Sequence, residues 1–308
     1  MLVVLTGGTG GAKLIEGLSH EVDPAELTII CNTADDFVHH GLNISPDLDT
    51  IMYTLAGLSD PEQGWGIRGD TFTVLQQLEK LSGEAWFKLG DRDIATHITR
   101  TRLLRDGLEL SEVTDLLHRQ LHIKSRIFPM SNDGIETRVD TAEGEISFQE
   151  YFVKRRWQPE VRKVFYAGVE SSRPVPGALQ AIGNAAGIVI CPSNPVTSIG
   201  PILAVPGIRD ALKQATASVV GVSPIIGESA ISGPAHKLMA AQGMEPSALG
   251  VAKGYADFLD RFVIDSEDEA LTNKLEALGI GVVVTSIRMK SLGDKQRLAR
   301  QVLALFDK

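Results

Sequence analysis

Residues 2–5 are apolar without interruption, and Thr6-Gly7-Gly8-Thr9-Gly10-Gly11-Ala12-Lys13 follows at once. A buried strand feeding a glycine-rich turn into a helix restricts the fold more than any other feature of the chain, because that succession belongs to parallel α/β sheets. Glycine has no Cβ, so the main chain can approach phosphoryl oxygens. The helix begun near Gly10 directs unpaired N–H groups and the positive end of its dipole at an anion. The stretch therefore predicts a phosphate site built on Gly7, Gly8, Thr9 and Gly10, with Lys13 among the nucleotide contacts. A tight turn with no ligand is the competing reading, but four glycines within residues 7–11 are more than a turn needs.

The spacing fits neither common phosphate fingerprint. A P-loop has glycine before its lysine and Ser or Thr after it; here Ala12 precedes Lys13 and Leu14 follows, so the Mg²⁺-binding hydroxyl is missing. A dinucleotide site would have Gly or Ala three residues after Gly10 and an acid ending the second strand. Lys13 and Asn32 stand there instead, which disfavours an NAD-dependent oxidoreductase.

A chain of 308 residues with 43% hydrophobic content can bury a large core. No apolar run is long enough to span a bilayer and no basic segment precedes an apolar one at the start, so a cytoplasmic protein without membrane contact is expected. The net charge of −9 argues against nucleic-acid binding, which draws on surplus Lys and Arg, and requires that any anionic ligand meet a local pocket. Cys31 and Cys191 each end an apolar run and read as buried free thiols rather than a disulfide or metal pair.

Short β-branched runs at 2–5, 28–31, 188–191, 218–222, 262–264 and 282–285 are apolar throughout, the pattern of strands covered on both faces. Helical segments at 10–18, 208–214, 235–242, 247–259 and 268–278 alternate with them. The fold expected is α/β: a doubly wound, mostly parallel Rossmann-like sheet in one domain spanning 1–308. Helical periodicity between 71 and 121, with Ser111 as a cap, predicts a helical subdomain at about 65–121 inserted into a core of about 1–64 and 122–308. Strands are expected at 127–130, 135–139 and 145–148, the last two forming a hairpin across Ala142-Glu143-Gly144.

The candidate chemistry lies in the loops beyond the strands. Asn32-Thr33-Ala34-Asp35-Asp36 follows the second strand, and Ser45-Pro46-Asp47-Leu48-Asp49-Thr50 comes soon after, with Ser45 as a helix cap and Pro46 at the first helical position. Asp47 and Asp49 are the hard oxygen ligands that Mg²⁺ takes beside substrate phosphates, although Asp47 also suits the helix dipole, and one of the two could instead align an attacking hydroxyl. In Lys88-Leu89-Gly90-Asp91-Arg92-Asp93, an aspartate could cap a helix, while Lys88 and Arg92 suit an acidic or aromatic substrate. His97 reads as structural. The loop 191–201 offers Ser193, Asn194, Thr197 and Ser198 between prolines, and Ser223-Pro224-Ile225-Ile226-Gly227 follows another strand in the same manner.

Taken in order and with their spacing, Thr6-Gly7-Gly8-Thr9-Gly10, Asn32-Thr33-Ala34-Asp35-Asp36, Ile44-Ser45-Pro46-Asp47-Leu48-Asp49-Thr50, Lys88-Leu89-Gly90-Asp91-Arg92-Asp93, Pro192-Ser193-Asn194-Pro195-Val196-Thr197-Ser198-Ile199-Gly200-Pro201 and Val222-Ser223-Pro224-Ile225-Ile226-Gly227 closely resemble the 2-phospho-L-lactate transferase, or CofD, family over nearly the whole chain. The resemblance implies an enzyme of deazaflavin coenzyme biosynthesis that moves a phospho-lactyl type group from a guanosine diphosphate-linked donor to Fo, a deazaflavin riboflavin analogue, releasing GMP with Mg²⁺ as the metal. By resemblance, Asp49, Lys88 and Arg92 lead the catalytic and Fo contacts, with Asp91 beside them. Guanosine recognition falls to Asn32, the 193–198 loop and the 223–227 loop that ends in Gly227.

The alternative is a branch of the same superfamily that binds nucleotide sugars as a non-catalytic regulator. The acidic stretch 45–50 together with 88–93 favours the transferase. Phospho-lactyl, phosphoenolpyruvyl and phosphoglyceryl donors differ by so little that the sequence does not choose among them. A homodimer is the expected assembly.

Overall fold

The computed structural model describes residues 1–227, 229–230 and 233–306. Its centre is a seven-stranded sheet in the order Gly281–Val284, Arg261–Ile264, Val219–Val222, Gly187–Ile190, Leu2–Thr6, Leu27–Cys31 and Arg126–Pro129, with every pairing parallel. The chain starts in the middle of this sheet. It builds outward through Leu27–Cys31 to Arg126–Pro129, then returns to the other side of Leu2–Thr6 and builds outward again. Strand order thus reverses between Leu2–Thr6 and Gly187–Ile190, and beyond their carboxyl ends the following loops part to leave a crevice.

The strands Leu2–Thr6, Leu27–Cys31, Gly187–Ile190 and Val219–Val222 at the middle of the sheet are buried on both faces, which is why they read as apolar runs. Leu2, Val4, Ile29, Cys31 and Val189 pack against Leu14, Leu18, Leu48, Met52, Leu298 and Val302 from helices Gly8–Glu21, Pro46–Leu55 and Leu292–Leu303. Val3, Leu5, Ile30, Ile188 and Ile190 face Ile182, Ile202, Ile208, Leu238 and Val251 from the helices of the later half. Each fully buried Leu, Ile or Val contributes about 1.5–3 kcal/mol. Cys31 and Cys191 are buried free thiols within this packing, the latter pushed up to about 12 by burial. No helix among the described residues is long and apolar enough to cross a membrane.

Between residues 65 and 121 lie helices Thr73–Ser82, Asp91–Arg105 and Leu110–Gln120. The first buries no residue. The second buries Asp93, His97, Arg100 and Thr101, a polar stripe that hydrophobic periodicity does not register. Helix starts differ from expectation where a better local partner exists. Glu109 rather than Ser111 begins the third helix, through a reciprocal capping box with Glu112. Gly90 precedes the helix Asp91–Arg105, so neither Asp91 nor Asp93 is its cap. Ser45 precedes its helix without capping it, because its hydroxyl donates to Asp36 Oδ2 at 2.6 Å. The expected hairpin is present as Glu136–Thr141 and Gly144–Ser147, and it gains an antiparallel neighbour, Val161–Ala167, that the sequence reading did not identify.

A small hairpin, Phe37–His39 with Leu42–Ile44, turns through His40 and Gly41 at φ of 49° and 75°. These left-handed values suit a tight turn whose twist matches the strands. Phe37 lies 4.8 Å from Phe87 and His39 5.1 Å from Trp86 between ring centroids. Burial, aided by His40 and Lys154 and opposed by Glu84, pushes His39 down from 6.5 to about 4, and its Nε2 has no hydrogen-bond partner among the described residues.

Between pH 6.5 and 4 the folded chain therefore holds fewer protons at His39 than the unfolded chain does, so this contribution to stability is complete above 6.5 and drains away as pH falls through the window. Its ceiling is about 3 kcal/mol. Urea unfolding of the wild type and of His39→Phe at pH 7 and pH 4.5 should show a larger acid loss in the wild type; equal losses would assign the acid sensitivity elsewhere.

Candidate active site

A cavity of about 630 Å³ opens at the crevice where strand order reverses. Its base is the glycine turn. Gly8 takes a φ of 65°, which glycine adopts without strain. Gly7 is extended, and its importance is the space it leaves. A Cβ there would stand 2.5 Å from Asp47 Oδ2 and 2.8 Å from Ser198 Cβ, while one on Gly10 would stand 2.5 Å from the Pro192 carbonyl oxygen. Gly11 is held as closely, against Thr6 Oγ1 and Ser193 Oγ. Ser193 stitches the two loops together, its hydroxyl donating to the Gly7 carbonyl at 2.7 Å and accepting from the Gly7 amide at 3.3 Å. The missing side chains thus let three loops converge; Ser193 takes up the Gly7 amide and Asp47 the Gly8 amide, and those of Thr9 and Gly10 stand in the first turn of the helix.

Carboxylates crowd the next level. Asp47 Oδ2 accepts from Asn32 Nδ2 at 2.9 Å, and the same amide group donates to the Thr197 carbonyl at 3.1 Å. Burial pushes Asp47 up to about 6 despite hydrogen bonds from Asn32 and the Gly8 amide. Asp35 is raised by burial and then by the charge of Asp47; its Oδ1 has no partner among the described residues. Asp36 is likewise raised, chiefly by burial, with Ser45 and Arg100 opposing.

Asp49 sits in a different environment. Arg100, 1% exposed, donates through Nη1 to Asp49 Oδ2 at 3.1 Å and through Nη2 to Asp49 Oδ1. Burial alone would lower Arg100, but the charge and hydrogen bonds of Asp49 outweigh it and hold the guanidinium above its ordinary value. His97 Nδ1 lies 3.3 Å from Arg100 Nη1, and a guanidinium can only donate, so this nitrogen is the acceptor. The proton then rests on Nε2, 3.2 Å from Asp93 Oδ1, which also accepts from the Tyr53 hydroxyl at 2.6 Å. Asp49, Asp93, His97 and Tyr53 all line the cavity, with Arg100 fixed behind them.

Of the residues singled out in the sequence, Gly7, Gly8, Thr9, Gly10, Asp47, Asp49, Lys88, Ser193, Asn194, Thr197 and Ser198 line this cavity. Others stand outside its lining. Asn32 lies behind Asp47, Lys13 on the first helix is not among the lining residues, and the Gly227 amide donates to both oxygens of Asp268 at 3.1 Å. Arg92 Nη1 donates to the Arg68 carbonyl at 3.2 Å. Asp91 accepts from the Val74 amide at 3.0 Å and the Thr73 amide at 3.1 Å, so it caps the helix Thr73–Ser82. The lining also includes Trp65, Trp86, Phe87, Phe148, Phe152 and Arg156, which the sequence reading did not single out. Aromatic residues spread over loops carry no periodic signal, so only the fold assembles them.

The donor set suits a hard divalent cation. Asp35 and Asp47 repel one another in a buried site, one carboxylate oxygen of Asp35 lacks a partner, and a cation would offset both costs. Asp49, Asp93 and His97 offer a second group of ligand atoms within 4.8 Å of one another, but Arg100 already occupies Asp49 and an imidazole is a poorer partner for Mg²⁺.

Comparison with known proteins places this geometry in context. The family description "2-phospho-L-lactate transferase CofD" matches residues 2–296. A phosphoenolpyruvate transferase of Streptomyces griseus is 45% identical over 99% of this chain and 98% of its own. A 2-phospho-L-lactate transferase of Methanosarcina mazei is 43% identical over 99% of this chain and 100% of its own. A crystal structure of a upf0052 family member from Bacillus halodurans superposes with a TM-score of 0.65 at 19% identity, covering 98% of each chain, a likeness of fold.

Arg100→Gln would leave the Asp49 carboxylate buried without its counter-charge, a change that costs about 3–5 kcal/mol. Chemical denaturation should register that loss, and the double variant Arg100→Met with Asp49→Leu should recover much of it. Unchanged stability in Arg100→Gln would show the pair to be energetically idle.

Proposed function

Because this chain belongs to the 2-phospho-L-lactate transferase CofD family, we propose that it transfers a phospho-lactyl type group from a guanosine diphosphate-linked donor to the terminal ribityl hydroxyl of Fo, releasing GMP. The observation that carries this reading is the meeting, in one cavity, of a glycine turn open to a diphosphate, buried carboxylates suited to Mg²⁺, and aromatic side chains suited to a flat acceptor. The hydroxyl oxygen forms a bond to the phosphorus that carries the acid. The bond from that phosphorus to the bridging oxygen breaks, GMP departs with the electron pair, and the hydroxyl proton passes to a carboxylate or to water.

Such a displacement depends on alignment and on neutralising charge rather than on a covalent protein intermediate. The Thr9 and Gly10 amides at the helix start and the hydroxyls of Thr197 and Ser198 would hold the diphosphate, with Ser193 fixing the turn through Gly7. Asp47 with Asp35 would hold Mg²⁺, which would supply a further countercharge to the diphosphate, while Asp49, expected beside them as a ligand, is taken up by Arg100. Asp49 and Lys88 would contact Fo. Asp49, held through both oxygens by Arg100, would accept a hydrogen bond from the attacking hydroxyl and so align it. Arg92 and Asp91 would act from the edge of the site, through the 88–93 loop they anchor.

The test is product analysis by mass spectrometry after incubation with Fo, Mg²⁺ and each of the guanylylated phospho-lactate, phosphoenolpyruvate and phosphoglycerate donors. Fo extended by the phospho-acid, with GMP formed in equal amount, is expected from at least one donor. Asp49→Ala should lower the rate on the order of 10²-fold. Tight binding of a guanine nucleotide with no product from any donor would point instead to the non-catalytic regulator.

A further inference from the structure

We infer that Arg156 binds the carboxylate of the acid being transferred, and so selects donors that carry one; this rests on the function proposed above. Among the described residues that line the cavity, only Lys88 and Arg156 bear a fixed positive charge, against the carboxylates Asp35, Asp47, Asp49 and Asp93. A donor with a diphosphate and a carboxylate must find compensation there. The glycine turn and the 193–198 loop serve the diphosphate, and Lys88 stands next to the aromatic residues Trp86 and Phe87. Arg156 is left for the remaining anion.

Its neighbours are engaged within the protein. Lys154 lies over the Trp86 ring at 5.8 Å, and Arg155 pairs with Glu150 at 2.8 Å and Glu143 at 2.5 Å. Arg156 makes neither a hydrogen bond nor an ion pair with any described residue, although acids are close in the sequence on both sides. The backbone that presents it is unusual. A π-helical turn, Glu150–Lys154, leads into two successive bulky residues in left-handed conformation, Arg156 at a φ of 50° and Trp157 at 48°. That conformation is unfavourable for such residues and persists only where surrounding contacts impose it. They do so around Trp157: its amide donates to the Tyr151 carbonyl at 2.8 Å, and Lys237 both donates to its carbonyl at 3.3 Å and lies 5.2 Å from its ring centroid. Arg156, beside this anchored tryptophan, lines the cavity.

A planar guanidinium matches a carboxylate with two parallel hydrogen bonds. Phe148 and Phe152, stacked at 5.4 Å and 7°, line the same cavity from the same segment and offer an apolar surface for the carbon skeleton of a small acid.

Calorimetric binding of guanylylated phospho-lactate, of the ethyl ester of GDP, which lacks the carboxylate, and of GDP itself would test this in wild type, Arg156→Gln and Arg156→Lys. Arg156→Gln should weaken the carboxylate donor by roughly 10- to 100-fold and leave the ethyl ester and GDP unchanged, with Arg156→Lys between. In turnover the loss should fall on KM for the donor and spare kcat and KM for Fo. Equal weakening of all three ligands would assign Arg156 to phosphate or guanosine, and no change would remove it from the site; either result overturns the inference. A wild type that binds the donor but forms no product defeats the transferase reading alone, since the binding comparison still decides the role of Arg156.

Discussion

Close approach at Gly7 is the constraint on which the site depends. The carboxyl ends of adjacent parallel strands bring residues 7, 32 and 193 together, and the helix Pro46–Leu55 adds Asp47 from above. With Asp47 Oδ2 and Ser198 Cβ both inside 3 Å of where a side chain would begin, glycine is the residue that lets all of these segments meet. The glycine turn, the carboxylates and the hydroxyl loop are therefore parts of one packed junction. A side chain introduced there would separate the loops before it obstructed any ligand.

Polar groups in this junction fall into two electrostatic regimes. Asp35 and Asp47 lack countercharge and are pushed toward protonation by burial. Asp49 has a buried guanidinium on both oxygens, Arg100 also contacts His97 Nδ1, and Tyr53 donates to Asp93, whose Oδ1 lies 3.2 Å from His97 Nε2. Arg100, His97 and Asp93 project from one helix, so the wall of the cavity around Asp49 is set by a single element. One group of acids is thus suited to recruiting positive charge, and the other to holding a geometry.

The central sheet was legible because strands covered on both faces leave a signature that polar exposure cannot blur: runs at 2–5, 28–31 and 188–191 correspond to Leu2–Thr6, Leu27–Cys31 and Gly187–Ile190. The glycine turn and the loop at 191–201 were legible for the same reason, since they follow those strands, while 45–50 was legible from Ser45-Pro46 at a helix start. Val161–Ala167 escaped notice because it is half-exposed and carries Arg162 and Lys163 in its middle. The importance of the helix Asp91–Arg105 was hidden as well, since its buried stripe is composed of Asp, His, Arg and Thr. Gly227 and Asp91 carried the right chemistry in the right loops, yet side-chain and backbone partners that sequence spacing does not specify occupy them. Arg156 lies in the basic run Lys154-Arg155-Arg156, and what distinguishes it, a positive φ and a guanidinium without a partner among the described residues, exists only in the fold.

The chain contains three tryptophans, and two of them, Trp65 and Trp86, belong to the cavity wall. The third, Trp157, adjoins Arg156 and is held beneath Lys237. Most of the intrinsic emission of the molecule therefore originates within reach of whatever enters the crevice. A conjugated, near-ultraviolet-absorbing acceptor seated against Trp86 would draw excitation from it, giving the protein an optical signal of occupancy without any label.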